Sequence, residues 1–192
     1  MQIVDIFAIV KKSLLAVKFK SKRYDEFALL FRNWNDVAYL EQFFNDNKKD
    51  LQSGFFGNIT VEEAVLHTID EAERMETYIR AIAERGLIDS DNTLQDLVFK
   101  PLSNADFSLQ HVASKSYGRN NPSWLRLYAI RIAKNLYVVT GGAIKLTEKM
   151  NERAHLNREL KKLIATKEYL NEIGFFDEED YEFIEISSND YE

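Results

Sequence analysis

The chain has 192 residues, 45% of them hydrophobic and 12% aromatic, enough to bury one good core and too apolar for a disordered segment. Lacking cysteine, it has no disulfide, thiolate metal site or cysteine nucleophile, and with two prolines and seven glycines it favours long regular elements. The net charge of −6 is unevenly spread: between Phe107 and Ala165 eleven lysines and arginines face three glutamates, a local excess that attracts polyanions or pairs with the acidic remainder.

The opening MQIVDIFAIVKKSLL carries no cationic leader before its apolar run, which Asp5, Lys11 and Lys12 interrupt. Neither a signal peptide nor a membrane span is expected, and a cytoplasmic location is the simplest expectation. Residues 2–20 read as two short strands joined at Lys11–Ser13, with Val17 and Phe19 alternating with Lys18 and Lys20. From Tyr24 the period changes. Phe27, Leu30, Phe31 and Trp34 share one helical face, Asn35–Asp36 breaks or recaps the helix, and Val37, Leu40, Phe43 and Phe44 carry it to about Asp50.

Gly54 and Gly57 mark a loop, after which Thr60 and Glu63 form a capping box. The helix it opens is striped by Val65, Ile69, Ala72, Met75, Ile79 and Ile82 and stopped by Gly86. Its acidic outer residues, Glu71 among them, read as solvated surface. A short apolar run at 97–102 contains Pro101, and SKSYGRNNPS (114–123) reads as a loop. SWLRLYAIRIA (123–133) has the two-sided apolar character of a central strand. Lys134–Asn135 turns the chain into LYVVT (136–140), Gly141–Gly142 makes a bulge or bend, and AIKLT extends the strand. A last helix carries Leu156, Leu160, Leu163, Ile164 and Leu170 and closes at Gly174.

These elements predict one α+β domain over residues 1–176, an antiparallel sheet packed against helices, followed by an acidic C-terminal tail at 177–192. The tail holds eight acids and no base, and Tyr181, Phe183, Ile184 and Ile186 have the makings of an edge strand. It is expected to fold back and shield the basic face.

Arg126 and Tyr128 stand two apart and project from one face, whereas Arg131 at odd spacing faces the other way. With Lys145, in the glycine-flanked GGAIKLT, they suit either an anion site or ion pairs with the acidic helices. Lys115, Tyr117 and Arg119 alternate through the 114–123 loop, a pattern that fits single-stranded RNA or an ordinary solvated loop. His67 reads as structural, while His111 and His155 are candidate general acids or bases. HExxH, P-loop, GxGxxG and GxSxG patterns are absent from the sequence, and no metal or cofactor is expected.

The stretch LRLYAIRIAKNLYVVTGGAIKLTEKMNERAHLNRELKKL resembles the C-terminal half of RelE/HigB-like toxins of bacterial toxin–antitoxin systems. Arg126 and Tyr128 match the family's strand arginine and aromatic, Gly142, Lys145 and Thr147 its glycine–lysine–threonine run, and LLAVKFK (14–20) its opening strand. Gly141 stands where many relatives carry a histidine, and residues 50–95 form a helical insertion in the core. The resemblance implies RNA binding and metal-independent mRNA cleavage, by attack of a ribose 2′-hydroxyl on the adjacent phosphate. Arg126 and Lys145 would stabilise the phosphate, and Lys115, His111 or His155 would move protons. Lys115, Tyr117, Arg119, Tyr128, Arg131, Lys149 and Arg153 would hold the RNA. The implied partners are RNA or ribosome-associated mRNA and an antitoxin protein. The alternative is a catalytically inactive member of the fold acting as a protein-interaction or regulatory module, with a DNA-binding accessory role third.

Overall fold

A computed structural model of the chain describes residues 1–102, 111–118, 120, 122–146 and 154–188. Strands β1 (Ile3–Val10) and β2 (Leu14–Phe19) form the expected hairpin. Its turn places Lys12 at φ 60°, in the left-handed region. Asp25 then caps α1 (Glu26–Trp34) by accepting the Ala28 N–H at 3.0 Å. Asn35 ends that helix and Asp36 caps α2 (Val37–Asp46) through the Tyr39 N–H, so the Asn–Asp pair stops one helix and starts another. A single turn, α3 (Lys48–Leu51), follows.

The Thr60–Glu63 capping box opens α4 (Val61–Arg85). Gly86 ends it with right-handed backbone angles; the position demands glycine because a Cβ there would collide with the Asn135 amide. Asn135 is a clip. Its Oδ1 accepts the Leu94 N–H at 2.9 Å, and its Nδ2 donates to Ser13 Oγ and Ala83 O, both at 3.0 Å. The clip joins the hairpin turn and the end of α4 to α5 (Leu94–Leu97).

The remaining strands are β3 (Lys100–Pro101), β4 (Val112–Tyr117), β5 (Leu125–Ala133) and β6 (Leu136–Ile144). After them come α6 (Ala154–Glu172), a 3-10 turn at Glu179–Phe183 and β7 (Ser187–Ser188). The sheet order is β3-β4-β5-β6-β2-β1-β7, antiparallel except for β2 with β6 and β1 with β7. One face packs on α1, α2 and α4 through Leu14, Ala16, Leu127 and Val139. The other packs on α6 through Leu15, Val17, Tyr128 and Val138. The expected α+β class, an antiparallel sheet packed against helices, is the one observed. Among the described residues no helix is long and apolar enough to cross a membrane.

Three expectations need correction. Residues 114–117 are strand, not loop: Ser114 and Ser116 turn inward, so the run lacks the large inward residues that usually betray a strand. Glu71 is buried against the β4–β5 connection and is no part of the solvated face of α4. The tail shields no basic face as far as Ser188. Its 3-10 turn lies by the β1–β2 and β5–β6 turns and β7 pairs with β1, held by the Lys12–Glu182 ion pair and by Tyr181, Ile184 and Ile186 against the α6-side core.

Candidate functional site

Antiparallel pairing of β3, β4 and β5 lines up a set of cations that the sequence scatters. Lys100 stands opposite Lys115, Lys115 opposite Tyr128, and Tyr117 opposite Arg126. Directly opposed residues share a face, here the α6 side. Two lysines set directly across a strand pair repel each other, an arrangement an anion relieves. Tyr117 is 41% exposed at the end of β4, with the Arg126 guanidinium 4.2 Å from its ring centroid and Lys115 Nζ 5.6 Å away. Burial pulls the Arg126 pKa down, opposed by Tyr117, Tyr128 and Glu71. Its Nη1 donates to the Ser123 and Leu125 carbonyls at 2.9 and 2.7 Å, which fixes the guanidinium at this corner. Lys145 follows β6 with its N–H on Trp124 O and lies two positions beyond Ala143, the cross-strand partner of Arg126. Parity therefore places Lys145 on the same face.

Glu71 of α4 braces this corner from behind. Its carboxylate accepts the Asn120 N–H at 2.7 Å, and a Cβ at Gly118 would strike it. Burial raises its pKa while hydrogen bonds from Asn120 and Ser123 oppose the rise.

Other expected site residues lie elsewhere. Tyr128 is 1% exposed inside the α6-side core, so no ring face is open to a base. Burial drives its hydroxyl pKa far up. His111 is 2% exposed, donates from Nε2 to Phe175 O at 2.6 Å and stacks on Phe176, a structural tie holding the end of α6 rather than an acid or base. Arg131 faces the α4 side, as parity requires, and donates to Gln95 Oε1 at 2.7 Å, away from the other cations. Arg119, Lys149 and Arg153 lie outside the described residues, and so does the side chain of His155, whose backbone belongs to α6.

A second constellation adjoins the first. Strands β2 and β6 pair only from Leu14↔Tyr137 to Ala16↔Val139; Thr140 then bulges out of the β5–β6 ladder and the two parallel strands separate. Lys162 of α6 reaches Glu26 of α1 at this fork, with Nζ 2.7 Å from Glu26 Oε2 and 2.9 Å from Glu159 Oε1. All three side chains are buried. Burial raises the Glu26 pKa and pushes Glu159 up to about 7, against the pull of Lys162 in both cases. For Lys162 burial acts downward, but the two carboxylates outweigh it and hold the ammonium above its ordinary value. Gly141 makes this possible, since a Cβ there would collide with Glu159; a Cβ at Gly142 would strike the Arg126 backbone carbonyl and press on Leu30. Glu159 thus occupies the space a side chain at position 141 would fill.

Over this cluster opens a pocket of about 520 Å³, walled by α1, α2, α6 and the end of β6. Its Ala143 lies directly across from Arg126. Composition did not single out Glu26, Glu159 or Lys162. One signal was present: Glu159 sits three residues after Leu156 and four before Leu163, a charge on the apolar stripe of α6. Lys100 was missed because its role arises only from strand pairing. Compared with protein-family models, curated proteins and solved structures, the chain matches none.

Proposed function

We propose that the protein is a RelE/HigB-like RNA-binding protein that holds a single strand along the α6-side corner of its sheet. One observation carries this reading: Lys100, Lys115, Tyr117 and Arg126 run across three adjacent strands on one face, with Lys145 beside them. Cations at strand spacing neutralise a phosphate backbone, and the accessible tyrosine ring offers a stacking surface to a base. The sequence of elements also supports the resemblance: an opening strand, a helical pair, then antiparallel strands ending in the Gly142–Lys145 segment and a helix. The cleavage it implies is attack of a 2′-hydroxyl oxygen on the adjacent phosphorus with departure of the 5′-oxygen. The 2′-hydroxyl loses its proton, the leaving oxygen gains one, and a cyclic phosphate and a 5′-hydroxyl result. Arg126 and Lys145 would stabilise the charge that develops on the phosphate, and one such donor is commonly worth about 3–4 kcal/mol.

Fluorescence anisotropy with a short labelled oligoadenylate tests the binding. Four engaged cations give log K against log[salt] a slope of about −3. The Lys115→Glu/Lys145→Glu double variant should bind at least about ten-fold more weakly. A flat salt dependence, or unchanged affinity in the variant, overturns the reading. Gel analysis of the same strand in EDTA checks cleavage.

A further inference from the structure

The pocket at the β2–β6 fork has the donor and acceptor arrangement of a base-reading site. We propose that it takes one guanine base of the bound strand, the Glu26 carboxylate accepting from guanine N1–H and N2–H2 and Lys162 donating to O6. This inference rests on the RNA-binding reading and names its specificity.

Four observations carry it. First, Glu26 is 1% exposed, yet its Oε1 has no hydrogen-bond partner among the described residues; its other oxygen is held by Lys162. An orphaned buried carboxylate oxygen leaves an acceptor unspent, at a cost a donor ligand removes. Second, the ammonium of Lys162 stands beside that carboxylate, so acceptor and donor lie side by side on the floor. Among the bases only guanine presents two adjacent N–H donors next to a carbonyl oxygen. Adenine and cytosine would set a ring-nitrogen lone pair against the carboxylate, and uracil has one donor between two carbonyls.

Third, Tyr39, 41% exposed, lines the pocket together with Glu159, Lys162 and Arg158, an aromatic side chain on which an inserted base can stack. Fourth, the mouth carries the exposed cations Lys22 and Arg158, suited to the phosphates flanking an inserted nucleotide. The volume lies within the range of small-ligand sites, and Ala143 on its wall pairs with Arg126, so a strand crossing the basic corner passes the opening.

The test compares nine-residue oligoadenylate with the same strand carrying one central guanosine, and GMP with AMP as competitors. We expect the guanosine strand to bind about ten-fold or more tightly, and GMP to compete at least about ten-fold better than AMP. Glu26→Gln, which replaces an acceptor oxygen by an amide donor, should abolish that preference. Since the buried cluster is sensitive to loss of a member, Tyr39→Ala at a partly exposed position provides a second variant, and it should lower the guanosine-to-adenosine affinity ratio. Equal binding of both strands, with GMP no better than AMP, overturns the pocket and leaves the RNA reading standing. Failure of both strands to bind, with GMP bound more tightly than AMP in direct calorimetric titration, overturns the RNA reading and keeps the pocket.

Discussion

Burial moves the Glu159 carboxyl out of the ordinary acidic range to near neutrality. Its folded value of about 7 lies above the ordinary 4.5, so between those pH values the folded chain retains a proton that the unfolded chain releases. Stability from this group is therefore fully present below about pH 4.5 and falls as pH rises to about 7, by about 1.4 kcal/mol per unit. Glu26, Lys162, Tyr39 and Arg158 surround it, and Glu26 adds to the rise while Lys162 opposes it. Urea denaturation of wild type and Glu159→Gln from pH 4.5 to 8 reads this directly. The variant should gain on the wild type up to about pH 7; parallel curves would refute the assignment. His111 teaches the opposite lesson. A histidine in a basic segment suggests acid–base chemistry, yet burial and one carbonyl partner commit it to packing.

Among the elements, the strand–helix order follows local patterns closely, and the places where it does not are physically intelligible. The hairpin, both N-terminal helices, the capped α4 and the β5–β6 pair follow from period, caps and breakers. The β4 strand was hidden by inward serines, and α5 by its dependence on the distant Asn135 amide. That clip ties three connections together, so Asn135→Ala should cost about 2–4 kcal/mol through loss of three buried hydrogen bonds. Thermal or urea unfolding measures it, and a loss below about 0.5 kcal/mol would show that the connections hold without it.

For the molecule as a whole, charge is partitioned by the sheet. The described tail runs from beside His111 past the β5–β6 and β1–β2 turns to β1, whereas Tyr117 and Arg126 of the cationic corner lie at the other ends of β4 and β5. Truncation after Phe176 should leave RNA affinity within about two-fold, because the tail starts beside His111, at the opposite end of β4 from Tyr117 and Arg126. It should lower the denaturation midpoint by uncovering apolar surface beneath Tyr181, Ile184 and Ile186. A large gain in RNA affinity would restore the tail as a shield. Read by itself, the sequence determined the α+β class, the hairpin, the helix caps, the central strand and the opposed faces of Arg126 and Arg131. Those features depend on neighbours within a few residues, where period and capping chemistry act. Only the tertiary structure decided that Lys100 joins Lys115, that Tyr128 and His111 are buried, and that Glu26, Glu159 and Lys162 meet at a split between parallel strands. These are contacts between distant segments, whose energies depend on burial and strand register rather than on local spacing.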